Sequence, residues 1–140
     1  MKQKVDLLYV EDNEDYVNFV GRAVKKIDEN IAYKYVTDGK DAFEYFQNNG
    51  NGNSLAKVIL LDINLPGMNG IDLLKKIRSF PHLKHLPVII FSTSENPEDI
   101  KNSYESGANA YIVKPSGISS LHDALRKICD FWLSLNYCYN

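Results

Sequence analysis

This sequence has few of the features that mark secreted, membrane-spanning or nucleic-acid-binding proteins. Its two cysteines, Cys129 and Cys138, lie nine positions apart near the C-terminus, which fits neither a disulfide framework nor a zinc site. Its clean apolar runs reach four or five residues, too short for a signal peptide or a membrane span. Lys and Arg total 16 against 18 Asp and Glu, so the net charge of −2 provides no general attraction to nucleic acid or anionic membrane. We therefore expect a cytoplasmic protein with reduced thiols that binds neither nucleic acid nor membranes directly.

The spacing of apolar residues alternates between strand and helix patterns along the whole chain. Short strands are predicted at residues 5–10, 31–36, 57–62, 88–91 and 110–113, and each is followed by an amphipathic helix. Strict alternation with long crossovers predicts an α/β fold, a single doubly wound sheet of five parallel strands with five helices on its two faces. A length of 140 residues fits one domain, and residues 48–54 are predicted to form a flexible loop.

Helix boundaries are marked most clearly in the second half of the chain. Asn96 followed by Pro97 predicts a helix start, and Gly107 predicts its end. A capping box over residues 120–123 predicts the start of the last helix. The apolar stripe predicted for that helix comprises Leu121, Leu125, Ile128, Trp132 and Leu135.

Charged and hydroxyl side chains follow four of the five predicted strands. Strand 1 ends in Glu11 and Asp12, strand 3 in Asp62, strand 4 in Ser92 and Thr93, and strand 5 in Lys114. Because the carboxyl ends of parallel strands share one edge of a sheet, we expect these groups to converge where α/β proteins bind ligands. Three converging carboxylates stay ionised only beside a cation, and oxygen ligands favour Mg²⁺.

A carboxylate beside Mg²⁺, with an ammonium and a hydroxyl facing it, suits in-line phosphoryl transfer. Asp62 is the predicted nucleophile. Lys114 and the metal would each hold one phosphoryl oxygen, and Ser92 would donate a hydrogen bond to a third. The predicted product is an aspartyl phosphate.

The order of these groups resembles the receiver domain of two-component response regulators. The run from Asp62 to Gly70, DINLPGMNG, is similar to the family's phosphoacceptor pattern, and Tyr111, three residues before Lys114, falls on its aromatic switch position. The resemblance implies a flavodoxin-like, CheY-like fold with strand order 2-1-3-4-5. It implies one receiver domain over residues 1–140, with a core at 5–130 and a C-terminal helix extension and tail at 131–140.

The same resemblance implies roles for individual residues. It implies that Asp12 and Asp62 ligate Mg²⁺ directly, Glu11 through water, and Asn64 through its main-chain carbonyl. Lys114 would form an ion pair with the phosphoryl group, and the peptide bond before Pro115 would be cis. Phosphorylation would draw Ser92, or its neighbour Thr93, toward the phosphoryl group and let Tyr111 turn inward. The surface of strand 4, helix 4 and strand 5 would change as a result.

A finer resemblance is to phytochrome-associated single-domain regulators. It rests on residues 65–67, 80–83, 92–94 and 131–133, the last of which are Phe-Trp-Leu. It implies a histidine kinase of the photoreceptor type as partner and a homodimer that uses the helix 4–strand 5–helix 5 face.

Two function classes remain open from the sequence. The leading hypothesis is a binding module, not a conventional enzyme, that receives a phosphoryl group from a sensor histidine kinase or a histidine phosphotransfer protein. It would switch a downstream effector or pass the group along a relay, and the alternative is a receiver-like module that acts without phosphorylation. A haloacid-dehalogenase-type phosphatase would need an acid where Asn64 stands. A flavodoxin-like phosphate binder would not have the acidic first loop of residues 11–15.

Overall fold

A computed structural model describes residues 4–48 and 55–138 of the chain. The strands are β1 (Leu7–Val10), β2 (Tyr33–Val36), β3 (Val58–Leu61), β4 (Val88–Ser92) and β5 (Ala110–Val113). The helices are α1 (Glu14–Ile27), α2 (Gly39–Asn48), α3 (Gly70–Ser79), α4 (Pro97–Glu105) and α5 (Ile118–Cys129). A 3₁₀ turn spans Pro81–Leu83, and a π-helical segment, Asp130–Leu135, continues α5. Apart from Asn48, the predicted loop of residues 48–54 lies outside the described residues.

The five strands form one parallel sheet in the order β2-β1-β3-β4-β5. In register, Val10 of β1 pairs with Val36 of β2 and with Leu61 of β3. The residues that directly follow β1 and β3 therefore lie side by side, at the edge where the chain leaves each strand. The predicted fold class and strand order are confirmed.

Alternating strand residues supply a separate core on each face of the sheet. Leu8 and Val10 pack on the side of α2 and α3, whereas Leu7 and Tyr9 pack on the side of α1 and α5. The period of two along a strand sends neighbouring side chains to opposite faces, which is why the central strands β1 and β3 are apolar throughout, whereas the edge strand β2 carries Lys34. Because β1, β3 and β4 are buried on both faces, their positions in the sheet are fixed. The polar residues at their C-terminal ends are therefore held at one edge of the sheet.

Side-chain caps set the starts of three helices. The side-chain oxygens of Asn13, Asn69 and Asn96 accept hydrogen bonds from the first-turn amides of α1, α3 and α4, respectively. The predicted boundaries of α4 are confirmed, since Pro97 opens it and Gly107, with a φ of 109°, follows its C-cap. The asparagine caps at 13 and 69 lie next to residues of the predicted site and hold the loops that carry them.

Three local expectations are wrong. The last helix begins at Ile118 with Gly117 as N-cap, not at the capping box of residues 120–123, and its first side chain, Ile118, is 75% exposed. The predicted apolar stripe fails at Leu135, which is 71% exposed, because the wider π-helical turn rotates it away from the core. The bond between Lys114 and Pro115 is trans, the isomer that X-Pro bonds favour intrinsically.

The guanidinium of Arg78, near the end of α3, joins two loops on the side opposite the predicted site. Its Nη1 donates to the carbonyls of Leu83 at 2.9 Å and Leu86 at 2.7 Å. Its Nε and Nη2 donate to the Gly107 carbonyl at 3.0 and 2.8 Å, and Nη2 also reaches Asn109 Oδ1 at 2.8 Å. We refer to this arrangement as the Arg78 clamp. It ties the C-terminal end of α4 to the loop between α3 and β4.

Both cysteines are free thiols, as expected. Cys129 is buried in α5, and burial raises the pKa of its thiol to about 11, so it is protonated at neutral pH. In the described part of the chain, no helix has the length and apolar character needed to cross a membrane.

Candidate phosphoacceptor site

The polar residues that follow β1, β3 and β5 come together at the carboxyl edge of the sheet. Glu11, Asp62 and Lys114 are buried there, and Asp12 is exposed beside them. Carboxylate oxygens of Glu11, Asp12 and Asp62 all lie within 4.8 Å of one another. The structure thus brings together the three acids and the lysine that the sequence predicted to converge.

Glu11 is the most heavily hydrogen-bonded of these acids. Its Oε1 accepts from the Tyr9 hydroxyl at 2.9 Å and from the Lys114 ammonium, and its Oε2 accepts from the Asn13 amide at 3.3 Å. Burial alone would raise the pKa of Glu11, but the hydrogen bond and charge of Lys114, with the bonds from Tyr9 and Asn13, outweigh burial and lower it. Glu11 is therefore ionised at neutral pH.

Asp62 has fewer partners although it is also buried. Its Oδ1 accepts from the Ile63 amide at 2.9 Å, and its Oδ2 lies 3.7 Å from the Lys114 ammonium. Burial raises the pKa of Asp62 to about 6, Lys114 opposes this shift, and the charge of Glu11 adds to it. Its carboxylate is thus ionised at neutral pH but poorly stabilised, a state that favours reaction or cation binding.

The backbone behind Asp62 is held by a close approach of α3. The Gly70 amide donates to the Ile63 carbonyl at 2.7 Å, and a Cβ at Gly70 would lie 2.1 Å from the Asp62 carbonyl oxygen. Any larger residue would push α3 or the strand end aside. This contact explains why the motif after Asp62 ends in glycine.

Lys114 is the central cation of the site. Besides its two acidic partners, its ammonium lies 4.1 Å from the centre of the Tyr16 ring and 5.9 Å from that of Phe91. Aromatic ring faces attract cations, and they shield this one from solvent. The lysine is thus held in place by acids on one side and rings on the other.

Of the two candidate hydroxyls at the end of β4, Ser92 is fully buried, whereas Thr93 is exposed. Ser92 Oγ accepts from the Ser94 amide at 3.2 Å. The Tyr111 ring is half-buried against the α2–α3 side of the core, and its hydroxyl donates to the Ser94 carbonyl at 2.8 Å. The Ser94 hydroxyl in turn donates to Asp99 of α4 at 2.6 Å. A hydrogen-bonded chain therefore joins Ser92, Tyr111 and α4 through residue 94.

Asn64 lies in the exposed loop after β3. It lines an open cavity together with Asp12 and residues 65–69. The loop thus places its main chain beside the exposed acid of the cluster.

Sequence reasoning missed three residues that the structure adds to this region. Tyr9 and Tyr16 contact Glu11 and Lys114, respectively, and Asp99 accepts from Ser94. The sequence places Tyr9 on the same face of the extended chain as Glu11, two residues later, but it does not identify the partner of the Tyr9 hydroxyl. For Tyr16 and Asp99 the contacts depend on tertiary packing that no local pattern reports.

The acidic cluster fits a divalent cation. Three carboxylates supply hard oxygen donors, and the exposed position of Asp12 leaves a route for entry. Lys114 occupies the inner side of the cluster, against Glu11 and Asp62, and leaves Asp12 free of that lysine's ion pairs.

The chain belongs to the response regulator receiver domain family, whose model matches residues 7–126. Receiver domains of this kind belong to two-component signalling, so the family predicted from the sequence is confirmed.

Within the receiver domain family, this chain is similar to two response regulators, Rcp1 and RcpA. Response regulator Rcp1 of Synechocystis sp. is 32% identical over 129 residues, covering 91% of this chain and 88% of that protein. The crystal structure of the phosphorylated cyanobacterial phytochrome response regulator RcpA matches with a TM-score of 0.90 and 34% identity, covering 99% of this chain and 100% of that one. The Mn²⁺-bound form of Rcp1 matches with a TM-score of 0.83 at 32% identity, covering 99% and 100%. The finer resemblance to phytochrome response regulators is confirmed.

Proposed function

We propose that this protein is a phosphorylation-dependent switch that accepts a phosphoryl group on Asp62. The observation that carries the proposal is the buried Asp62 carboxylate, flanked by Glu11 and Asp12 and lying 3.7 Å from the Lys114 ammonium. A carboxylate in such surroundings is ionised yet weakly stabilised, which suits a nucleophile. The similarity to a phosphorylated response regulator, RcpA, supports this assignment.

The chemistry follows from the residues around Asp62. A carboxylate oxygen of Asp62 forms the new P–O bond while the P–N bond to a donor phosphohistidine breaks, and the electron pair leaves with the imidazole. Lys114 would turn from Glu11 toward the transferred group and pair with one of its oxygens. Asp62 loses its carboxylate charge in the mixed anhydride (acyl phosphate) that forms, and the phosphoryl oxygens carry negative charge in its place.

We further propose that the cation used is Mg²⁺, held by Asp12, Asp62, the main-chain carbonyl of Asn64 and, through water, Glu11. When bound, it would neutralise charge on the phosphoryl oxygens. The oxygen-only donor set supports a hard cation, and the Mn²⁺-bound form of Rcp1 supports a divalent one.

We propose that phosphorylation of Asp62 changes the partner-binding surface through Ser92 and Tyr111. A phosphoryl oxygen on Asp62 would accept a hydrogen bond from Ser92, with Thr93 as the exposed neighbour that does not reach inward. Because Ser92 already binds the Ser94 amide, a shift of Ser92 would disturb the bond between Tyr111 and the Ser94 carbonyl. The surface of β4, α4 and β5 would change with it.

The partners proposed are a sensor histidine kinase or a histidine phosphotransfer protein upstream and a protein effector downstream, in the cytoplasm. We do not propose a conventional enzyme, since the phosphoryl group is received rather than turned over on a substrate.

A homodimer through the α4–β5–α5 face is part of the proposal, supported by exposed apolar side chains on α4, α5 and the following segment. These are Tyr104, Ile118, Phe131 and Leu135. Light scattering with and without beryllofluoride tests the dimer, and a monomer in both conditions would contradict it.

The function is tested by incubating the protein with acetyl phosphate and Mg²⁺ and measuring intact mass. We expect an adduct of about 80 Da that requires the metal and is absent from Asp62→Asn. Asp6→Asn is the matched control, since Asp6 is a buried aspartate on the opposite edge of the sheet, paired with Lys57 at 3.6 Å.

An adduct in Asp62→Asn would show that another residue is the acceptor. No adduct in the wild-type protein, together with no response to beryllofluoride, would contradict the switch and favour a receiver-like module that acts without phosphorylation. Transfer of the group onward to an added phosphotransfer protein would identify a shuttle in a relay.

A further inference from the structure

Tyr9 is a fully buried tyrosine whose hydroxyl is aimed at the acidic cluster. It lies on β1, pairs in register with Leu60 of β3, and packs its ring edge-to-face against Phe91 at 6.1 Å. The strand pairing holds its main chain, and full burial with the Phe91 contact restricts its ring. The hydroxyl therefore has one position, 2.9 Å from Glu11 Oε1.

The same Glu11 oxygen accepts from two donors of different character. Tyr9 presents a neutral hydroxyl on a buried strand, whereas Lys114 presents a charged ammonium that also lies 3.7 Å from Asp62. A buried carboxylate that loses a hydrogen-bond donor is destabilised, because water does not reach it to replace the lost bond. If Lys114 were the sole donor to Oε1, its departure would leave that oxygen bare.

We propose that Tyr9 is a positioning residue that keeps Glu11 Oε1 hydrogen-bonded, and so releases Lys114, when Lys114 leaves Glu11 for a phosphoryl group or gives way to a cation. This inference rests on the proposed function, and it assigns a regulatory task to a strand residue that contacts neither the acceptor nor the metal. With the hydroxyl in place, Lys114 can be exchanged at modest cost. Without it, Lys114 is held on Glu11.

Tyr9→Phe is the variant that tests this, because it keeps the ring, its packing on Phe91 and the strand pairing. Tyr33→Phe is the matched control. Tyr33 lies on the neighbouring strand β2, and its hydroxyl donates to the Val17 carbonyl at 3.0 Å, so this variant loses a similar bond without touching Glu11.

The first measurement is the dissociation constant of Mn²⁺, used as the metal alone and followed by electron paramagnetic resonance of the free ion. We expect Tyr9→Phe to bind Mn²⁺ about tenfold more weakly, at the lower end of the loss of a hydrogen bond to a charged group. Tyr33→Phe should stay within about twofold of wild type, the spread left when no bond to a charged group is removed. Equal affinity in wild type and Tyr9→Phe, or equal weakening in both variants, would overturn the proposal.

The second measurement separates positioning from simple damage. In a Lys114→Met background no ammonium competes for Glu11, so adding Tyr9→Phe should change Mn²⁺ affinity far less than it does in wild type. A full tenfold loss in that background would show that Tyr9 acts on the metal site directly, contrary to the proposal. The Mn²⁺ result is independent of phosphoryl transfer, so failure of Asp62 to accept a phosphoryl group leaves it interpretable.

The third measurement is the rate of phosphorylation by acetyl phosphate as a function of Mg²⁺ concentration. Tyr9→Phe should both raise the Mg²⁺ concentration needed for half the limiting rate and lower the limiting rate, because Lys114 is held back from the phosphoryl group. A change in neither quantity would contradict the inference.

Discussion

Replacing Asp62 with asparagine is expected to stabilise the metal-free protein at neutral pH. Asparagine keeps the shape of the side chain and can still accept from the Ile63 amide, but it removes a buried negative charge. Burial raises the pKa of Asp62 to about 6 from an ordinary value of 3.8. Because each tenfold change in proton affinity is worth about 1.4 kcal/mol, ionised Asp62 costs about 3 kcal/mol of folding free energy above pH 6.

The direction of the pKa shift of Asp62 determines how the stability gain of Asp62→Asn depends on pH. A carboxyl whose pKa is raised in the folded state binds protons more tightly there, so the cost is absent well below pH 3.8 and grows until pH passes the folded pKa near 6. The advantage of Asp62→Asn should therefore be about 3 kcal/mol at pH 7.5 and about 1 kcal/mol at pH 4.5. A gain of 3 kcal/mol corresponds to a urea midpoint higher by about 1–3 M.

Urea unfolding in EDTA at the two pH values measures both quantities. Asp6→Asn is the control, since the Asp6 carboxylate lies 3.7 and 3.6 Å from the ammonium groups of Lys4 and Lys57 and should gain nothing from neutralisation. The reasoning is refuted if Asp62→Asn is no more stable than wild type at pH 7.5, or if its advantage is the same at pH 4.5.

Three further outcomes are expected from urea unfolding. A divalent cation at 100 times its dissociation constant should stabilise wild type by about 2.7 kcal/mol but leave Asp12→Asn unchanged, and an equal gain in both would exclude Asp12 as a ligand. Arg78→Met should cost about 2–4 kcal/mol, because it leaves the clamped carbonyls without a donor, and a loss below about 0.5 kcal/mol would show that water replaces it. Gly70→Ala should cost about 1–3 kcal/mol and slow phosphorylation of Asp62, since its Cβ would overlap the Asp62 carbonyl oxygen. Unchanged phosphorylation would mean that α3 shifts without moving the acceptor.

The convergence of Asp12, Asp62 and Lys114 could be predicted because it depends on two simple rules. A run of four apolar residues marks each of β1, β3 and β5, and parallel strands end at one edge of the sheet. Tyr9 could not be predicted in the same way. A tyrosine in a strand is ordinary core material, and its role appears only when the partner of its hydroxyl is known.

The errors occurred where local patterns met a tertiary effect. Leu135 continues a stripe of helical period, but the wider turns of the π-helical segment change that period. The capping-box pattern of residues 120–123 placed the start of α5 too late, because the helix begins at Ile118 after Gly117, which has no side chain to mark the cap. The Arg78 clamp has no sequence signal, because all but one of its acceptors are main-chain carbonyls spread over residues 83–107, and the other is the side chain of Asn109.

The Arg78 clamp also determines how α4 can move. At one end of the helix, the Gly107 carbonyl is fixed by two bonds from a guanidinium that is itself tied to the loop before β4. At the other end, the Ser94 hydroxyl donates to Asp99 and accepts from the amide of the N-cap residue Asn96. A body fixed firmly at one end and lightly at the other pivots rather than slides. A displacement of Ser92 should therefore rotate α4 about a point near Gly107, so that the displacement a partner meets is largest at Pro97 and smallest near Glu105.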